Sequence, residues 1–273
     1  MENMLDRIKG TTNFLKSNGF NGPEVGIILG TGLGRLVRHI EIDHVLEYDK
    51  IPDFPVSTVE SHDGKLIYGR IGNKKVVAMQ GRFHYYEGYS MQQIVFPVRV
   101  MKMLGVKYLL VSNAAGNVNL SFRKGELMLL TDHINLLGDN PLIGPNLDEL
   151  GTRFPDMSSP YSEFLNSKIS AIAERHGIKL NKGIYAAVAG PNLETRAEYR
   201  YMRTIGADLV GMSTIPEVIA ANHMKLPVAA ISVITDECDP DNLKPVNIRE
   251  ILEVAGRAEV SLTKVFVDLV KEL

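Results

Sequence analysis

Short apolar segments that recur along the chain are the feature that most restricts its fold. Glycine or turn-forming residues bound most of these segments, and several are apolar throughout. This pattern is typical of strands that are buried on both faces of a parallel or mixed sheet. We predict strands over residues 25–29, 65–71, 75–80, 107–112, 126–134, 183–189, 207–212 and 228–235.

Segments with helical character alternate with these strands. Residues 90–105 begin with Ser90 and Gln93 at capping-box spacing and end at Gly105, a common helix terminator. We also predict helices over residues 160–176, over 194–205 after an Asn192 cap, over 216–225 with Thr214 and Glu217 at capping-box spacing, and over roughly the last 25 residues. The alternation predicts an α/β fold, a layered domain with a central mixed, largely parallel β-sheet flanked by helices.

Length and composition predict one domain. The 273 residues are 45% apolar and 23% charged, which is sufficient for a large core. No Gly/Ser linker, repeat or low-complexity tract interrupts the alternation, so we predict a single domain over residues 1–273. Residues 139–159 are rich in Pro, Gly and Asp and form the longest predicted loop. Loops of this length in a compact domain usually serve a function or an interface.

Charge and cysteine content argue against several classes of function. The net charge is −2, and the mixed charges do not favour nucleic acid or an anionic membrane as a partner. Cys238 is the only cysteine, so neither an intrachain disulfide nor a multi-thiolate metal site can form. The sequence lacks an apolar run of the ~20 residues that a membrane span needs, and its first residues do not resemble a secretory signal. We therefore predict a cytoplasmic protein without a metal.

A glycine-rich turn, Gly30-Thr31-Gly32-Leu33-Gly34, follows the first predicted strand. Such a turn allows backbone N–H groups and the Thr31 hydroxyl to converge on an anion. Its G-x-G-x-G spacing differs from the dinucleotide fingerprint, whose third glycine falls where Arg35 stands here, and the lysine of a P-loop is missing. From the residues alone, a phosphate site and a merely tight turn both remain open.

The stretch GRFHYYEGY, residues 81–89, follows a predicted strand and has no period of a core element. Arg82 supplies a permanently charged planar fork that suits phosphate oxygens, and His84 adds a donor whose charge can respond to a bound anion. The alternative is a surface turn in which Arg82 pairs with Glu87. The position at a strand end and the concentration of aromatic rings favour a binding site.

Other candidate groups also follow strands. Small residues at 114–116 allow a ligand to approach the backbone, Glu194 lies near a helix start, Ser213 precedes another, and an acidic cluster follows residues 228–235. Each has a structural alternative, such as tight packing or helix capping. Because α/β sheets bind ligands at the ends of their strands, we expect these groups to meet in one site.

The motifs then become recognisable as a series. GTGLG, His62, GRFHYYEGY, SNAAG, RFPDMS, GPNLETRAEY, VGMSTIPE and VITD, in this order, resemble those of the trimeric purine nucleoside phosphorylases, a group that includes the methylthioadenosine phosphorylases. The resemblance implies the nucleoside phosphorylase fold and reversible phosphorolysis of purine nucleosides to the free base and (deoxy)ribose 1-phosphate. It also implies inorganic phosphate as co-substrate, no metal or organic cofactor, and a homotrimer.

The resemblance assigns roles to individual positions. The implied phosphate-binding residues are Thr31, His62, Arg82, His84, Ala114 and Ser213. The implied nucleoside-binding residues are Tyr86, Phe154 from a neighbouring subunit, Leu193, Glu194, Val210, Met212 and Asp236. Among these residues, His84, Glu194 and Asp236 are the implied catalytic residues.

The identity of the purine is less defined than the reaction. An ionised Asp236 can only accept hydrogen bonds, which suits the 6-amino group of adenine, whereas Glu194 suits the N1–H group of hypoxanthine or guanine. Leu193 and Ile248 also depart from the pattern of 6-oxopurine enzymes, and Ile248 lies where a donor to the ribose 5′-hydroxyl is expected. We predict a preference for inosine and guanosine. The alternatives are adenosine or methylthioadenosine phosphorolysis and, more remotely, a non-catalytic nucleoside sensor.

Overall fold

A computed structural model describes residues 3–58 and 63–273 of the chain. Its helices are α1 (Met4–Ser17), α2 (Met91–Leu104), α3 (Glu163–Arg175), α4 (Arg196–Thr204), α5 (Ile215–His223) and α6 (Ile248–Glu272). Its strands are β1 (Val25–Leu29), β2 (Glu41–Glu47), β3 (Lys65–Ile71), β4 (Lys74–Gln80), β5 (Tyr108–Asn117), β6 (Leu127–Leu136), β7 (Leu180–Val188), β8 (Leu209–Gly211) and β9 (Val228–Glu237).

These strands form one mixed sheet with the order β2-β3-β4-β1-β5-β8-β7-β6-β9, and β9 also pairs with β5. The sheet therefore closes on itself into a ring of β5, β8, β7, β6 and β9, from which β1, β4, β3 and β2 extend. Parallel pairings join β1 to β4 and β5, β5 to β9, and β7 to β6 and β8. The prediction of a mixed, largely parallel sheet is confirmed.

Helices cover both faces of the sheet, as predicted. Helices α1, α2 and α5 pack together over one face, and α3 and α6 pack together over the other. The core strands β1 and β5 are almost entirely buried because helices lie above and below them. No helix in the described ranges is long and apolar enough to cross a membrane. The single-domain organisation and the cytoplasmic location remain predictions.

Every predicted strand is present in the structure, but the sequence pattern missed β2. This strand, EIDHVLE, is exposed along nearly its whole length and pairs only with β3, so it lies at the edge of the sheet. A register shift between Ile42 and His44 interrupts its pairing. An exposed, charged edge strand lacks the apolar run that identifies a buried strand, and for this reason the pattern did not reveal it.

The predicted cap of α2 is confirmed, because Ser90 and Gln93 form a capping box and Gly105 ends the helix in the left-handed region. The predicted cap of α4 was wrong. Helix α4 is capped by Thr195, whose side chain forms a capping box with Glu198, and not by Asn192. The correction moves the start of α4 by two residues, from the predicted residue 194 to Arg196.

At α5, Thr214 occupies the N-cap position as predicted, but it makes no side-chain capping bond and Glu217 faces a buried arginine, so the predicted capping box is wrong. The glycine-rich turn after β1 is also tightly packed. A Cβ atom on Gly30 would lie 2.7 Å from the Ser112 carbonyl oxygen and 2.8 Å from the Asn113 Cα atom. Only glycine lets this turn approach β5 so closely, and the approach brings Thr31 beside the middle of β5.

Candidate active site

A cavity of about 170 Å³ opens at the carboxyl ends of β1, β4 and β9 and beside β5 and β8. Five of the predicted phosphate-binding residues line it, namely Thr31, Arg82, His84, Ala114 and Ser213. Six of the predicted nucleoside-binding residues also line it, namely Tyr86, Leu193, Glu194, Val210, Met212 and Asp236. The expectation that the strand ends bring these groups together is therefore confirmed, whereas their roles remain predictions.

Two predicted positions, Phe154 and Ile248, lie elsewhere, and the structure does not describe a third. His62 falls outside the described residues. Phe154 is 87% exposed and lines a separate apolar depression with Ile143 and Met157, away from the cavity of its own chain. Ile248 is also exposed, and Ile251, one turn further along α6, lines the cavity instead.

Arg82 is buried in the wall of the cavity and is only 1% exposed. Its Nε atom lies 3.1 Å from an oxygen of the buried Glu217 carboxylate. Its Nη1 atom donates hydrogen bonds to the Ser112 carbonyl oxygen at 2.8 Å and to Ser213 Oγ at 3.1 Å. Burial of a guanidinium is tolerable here because the charge is paired and hydrogen-bonded. The alternative of a surface turn with Arg82 paired to Glu87 was wrong.

Thr214 adopts an unusual backbone conformation, with φ 70° and ψ −52°. The Ile215 N–H group donates to the Ser213 carbonyl oxygen at 2.7 Å, so the three residues form a γ-turn that a β-branched residue rarely adopts. Asn113 Nδ2 holds the turn by donating to Thr214 Oγ1 at 2.9 Å. The strained turn directs Ser213 Oγ towards Arg82, and strain of this kind is typical of functional sites.

His84 is held in one orientation by Glu87. The His84 backbone N–H group and the ring Nδ1 atom both contact one Glu87 oxygen, at 2.8 and 2.9 Å. The other Glu87 oxygen accepts from the backbone and the hydroxyl of Thr58, at 2.9 and 2.6 Å. Burial by itself would raise the pKa of Glu87, but these hydrogen bonds outweigh it and lower the pKa to about 2. The carboxylate therefore stays charged and fixes the imidazole.

Tyr86 forms an aromatic wall beside this pair. Its ring stacks on the His84 imidazole with centroids 4.7 Å apart and an interplanar angle of 12°. Burial, together with the nearby charge of Glu87, raises the pKa of Tyr86 to about 12, so the phenol remains neutral at physiological pH. A neutral ring at this position offers a flat apolar face to a ligand such as a sugar.

Two carboxyl groups face the opposite end of the cavity. Burial is the main cause that raises the pKa of Glu194, and the charge of Asp236 adds to it against an opposing contribution from the Tyr199 hydroxyl. Asp236 Oδ1 accepts a hydrogen bond from Thr235 Oγ1 at 2.8 Å, and its Oδ2 accepts one from Cys238 Sγ at 3.2 Å. Asp236 thus has a fixed orientation towards the cavity.

The sequence interpretation did not single out several residues that shape the cavity. Asn113 and Thr235 line the cavity. The Glu87 and Glu217 carboxylates hold the side chains of His84 and Arg82 in position. Asn113 lies within the SNAAG motif, so its position after a strand was an available signal. The pairing of Glu217 with Arg82 joins residues 135 positions apart, and no local pattern predicts such a contact.

The cavity thus combines a fixed guanidinium, an imidazole and a hydroxyl at one end with two carboxyl groups at the other. Such an arrangement at strand ends is typical of α/β enzymes that bring a small oxyanion against a ligand carrying a heterocycle. The sequence profile described as the phosphorylase superfamily matches residues 24–271. Purine nucleoside phosphorylase 1 of Bacillus subtilis is 51% identical to the chain and is covered over 96% of both sequences. The chain belongs to the purine nucleoside phosphorylase family of this superfamily.

Solved structures agree with this assignment. Isoform 2 of the purine nucleoside phosphorylase from Schistosoma mansoni, in complex with cytosine and ribose-1-phosphate, superposes with a TM-score of 0.94 at 40% identity and covers 98% of this chain and 96% of its own. A purine nucleoside phosphorylase from S. mansoni solved with adenosine and a Schistosoma purine nucleoside phosphorylase solved with hypoxanthine each give a TM-score of 0.92 at 40% identity, and each covers 98% of this chain and 97% of its own. The nucleoside phosphorylase fold is therefore confirmed.

Proposed function

We propose that this chain catalyses the reversible phosphorolysis of purine nucleosides and deoxynucleosides, which yields the free base and (deoxy)ribose 1-phosphate. This activity makes it a pentosyltransferase. The observation that carries the proposal is the single cavity that places Arg82, His84 and Ser213 opposite Glu194 and Asp236. The relatives named purine nucleoside phosphorylase support it.

Phosphate binds at the basic end of the cavity in this proposal. The Arg82 guanidinium, the His84 ring, the Ala114 amide and the Thr31 and Ser213 hydroxyl groups surround it, with His62 as a further predicted contact. Cleavage of the glycosidic bond develops positive charge on the sugar, and a phosphate held below the anomeric carbon acts both as nucleophile and as counter-charge. Phosphate supplies this chemistry itself, so we propose no metal and no organic cofactor.

The sugar lies between the two ends, against Tyr86 and Met212, and the base lies against Leu193 and Val210. Glu194 accepts a hydrogen bond from the N1–H group of a 6-oxopurine, and Asp236 accepts one from N7–H. The N7 proton is taken up from solvent as the glycosidic bond breaks, and it neutralises the negative charge that the departing base would otherwise carry. Preorganised donors and acceptors of this kind lower the barrier because the protein does not reorganise during the reaction.

We propose inosine and guanosine as the preferred substrates, because N1 of a 6-oxopurine carries the proton that Glu194 accepts. Adenosine is the second candidate. Asp236 can accept from its 6-amino group, and a protonated Glu194 can donate to its N1 atom. The Schistosoma purine nucleoside phosphorylases solved with adenosine and with hypoxanthine are consistent with a family site that accepts both classes of purine.

The decisive test is a substrate panel with and without phosphate. Purified protein is expected to release hypoxanthine from inosine only when phosphate is supplied, and an equimolar amount of ribose 1-phosphate is expected to form. The absorbance change of the base gives the rate, and a phosphate assay gives the stoichiometry. Equal release in phosphate-free buffer would show hydrolysis and would contradict the proposal.

The position of His84 gives a prediction about phosphate affinity. Glu87→Gln keeps the shape of the side chain but replaces the charged acceptor that fixes His84, so we expect the KM for phosphate to rise about 10-fold. Steady-state kinetics with phosphate as the varied substrate measures this effect. The control is Glu41→Gln on the exposed strand β2, which should leave KM unchanged. A wild-type KM in Glu87→Gln would show that His84 needs no charged partner.

We also propose that the protein is a homotrimer in which Phe154 of one subunit reaches the sugar site of the next. The exposed aromatic ring supports this proposal. Phe154 is 87% exposed, and its only described ring contact is the Arg153 guanidinium 5.7 Å from the ring centroid. The ring lies in the long 139–159 loop, and the apolar depression that it lines includes the exposed Ile143. Exposed apolar surface of this kind commonly marks a protein interface.

The interface proposal predicts the behaviour of Phe154→Ala. The variant should retain its fold, because the ring contributes little to the core of its own chain, but kcat/KM for inosine should fall about 10-fold. Kinetics and light scattering measure activity and assembly together. Phe164→Ala, another exposed aromatic residue that lies on α3, is the matched control. Full activity of a dilute monomer would contradict the proposal.

A further inference from the structure

The surroundings of Asp236 differ from those of an exposed carboxylate, because both of its oxygens accept a hydrogen bond from the protein. Thr235 Oγ1 lies 2.8 Å from Oδ1, which is shorter than its 3.3 Å contact with the Ala115 carbonyl oxygen. Cys238 Sγ lies 3.2 Å from Oδ2. Two donors to one carboxyl group occupy an acceptor position on each oxygen and restrict its rotation.

Cys238 is itself held firmly in place. It is 1% exposed, and its backbone N–H group donates to the Asn117 carbonyl oxygen at 2.8 Å. Burial and the neighbouring charge of Asp236 both raise the pKa of the Cys238 thiol. The sulfur therefore keeps its proton at physiological pH and acts as a hydrogen-bond donor.

Packing on the other side of the sulfur confirms that the contact is enforced. Gly116 faces both groups, and a Cβ atom at Gly116 would lie 2.6 Å from Cys238 Sγ and 3.0 Å from Asp236 Oδ2. A register shift in the β5–β9 pairing places Gly116 opposite Asp236. The thiol and the carboxylate therefore pack side by side against Gly116 of β5, which has no side chain to separate them.

We propose that Cys238 is a positioning and specificity-determining residue, whose thiol holds the Asp236 carboxylate as a charged, acceptor-only group facing the base. This inference rests on the proposed phosphorolysis, because it assigns Asp236 to the base. An acceptor-only group binds a donor such as the 6-amino group or N7–H. It cannot donate a hydrogen bond to the O6 atom of a 6-oxopurine. Cys238 therefore favours the acceptance of adenosine as a substrate.

Loss of the thiol should change the preference between inosine and adenosine. Without the thiol, the Cys238 donor no longer occupies Oδ2, so this oxygen has a vacant position where the proton of a neutral carboxyl group can lie. A protonated carboxyl group can donate to O6 while its second oxygen accepts from N7–H, as the side chain of an asparagine would. Removing the thiol therefore favours inosine over adenosine, and the effect should be larger at low pH.

The test compares kcat/KM for inosine and adenosine, with phosphate, from pH 5 to pH 8. Cys238→Val removes the donor and keeps a small apolar side chain, so the inosine-to-adenosine ratio should rise about 10-fold at the acidic end. Cys238→Ser restores a donor and should stay within about 2-fold of wild type. Cys238→Ala serves as a second donor-free variant if the valine variant folds poorly. In an Asp236→Asn background, Cys238→Val should leave the ratio unchanged.

The outcomes separate this inference from the proposed function. Absence of phosphate-dependent cleavage by the wild-type protein would reject phosphorolysis, and calorimetric binding of hypoxanthine and adenine to the same variants would then test the role of Cys238 directly. Phosphate-dependent cleavage with an unchanged ratio in both donor-free variants would overturn the inference. Equal losses for both nucleosides at every pH would also overturn it, because they would indicate a purely structural role.

Discussion

Arg82→Met is expected to lower kcat/KM for phosphate about 1,000-fold, the upper end of the effect of removing one preorganised donor. Methionine approximates the length of the arginine stem but supplies neither charge nor donors to the phosphate. The loss should appear in both kcat and the KM for phosphate, since the guanidinium binds the nucleophile and stabilises the transition state. Steady-state kinetics at saturating inosine, with phosphate varied, measures it.

The same substitution also affects folding, and a control has to separate the two effects. Arg82→Met leaves the Glu217 carboxylate buried without its partner, which should destabilise the protein by about 3–5 kcal/mol. The double variant Arg82→Met/Glu217→Met removes both charges and should recover most of the unfolding free energy while remaining inactive. Denaturant unfolding measures the recovery. Wild-type activity in a stable double variant would exclude Arg82 from the phosphate site.

Glu194→Gln is expected to lower kcat/KM for inosine about 30-fold, because a neutral acceptor replaces a charge-assisted hydrogen bond to N1–H. The amide can instead donate to N1 of adenine, so the adenosine-to-inosine ratio should rise about 100-fold. Competition between the two nucleosides in one reaction measures the ratio directly. The matched control is Glu198→Gln, one turn along the chain, which removes the charge of the α4 capping box outside the cavity.

The protonation of Glu194 gives this prediction a pH dependence. Because its pKa is raised, the protonated form persists to higher pH than in an ordinary glutamate, and only that form donates to N1 of adenine. In the wild-type protein the adenosine-to-inosine ratio should therefore rise as the pH falls from 8 towards 5. In Glu194→Gln this slope should disappear. If the ratio does not change with pH in the wild-type protein, Glu194 does not form a hydrogen bond with N1 of the purine.

Much of the fold could be predicted from local sequence, because its buried strands have the uninterrupted apolar runs that a doubly covered sheet requires. Strand β2 could not be found in this way, since its residues face solvent. The closure of the sheet was also beyond prediction. It depends on β9 pairing with both β5 and β6, and such contacts between distant segments leave no periodicity in the sequence.

The candidate site was predictable where a polar or charged side chain follows a strand closely, as with Arg82, Ser213 and Glu194. Residues that act through others were not. Glu87 was considered only as the partner of Arg82 in the surface-turn alternative, yet it holds His84. Glu217 was interpreted as part of a capping box, yet it pairs with Arg82. A sequence shows which charges are near in the chain, whereas the choice of partner depends on tertiary packing.

The closed ring of strands limits how the substrate range of this protein can change. Ala114 and Gly116 on β5, Val210 on β8 and Asp236 on β9 belong to strands joined directly by backbone hydrogen bonds. The walls of the cavity that these four residues form therefore belong to one frame of strands that cannot widen by sliding. Accommodation of a bulkier purine has to come from the loop that contributes Leu193 and Glu194, residues 189–195, and mutagenesis libraries for altered nucleosides should be concentrated there.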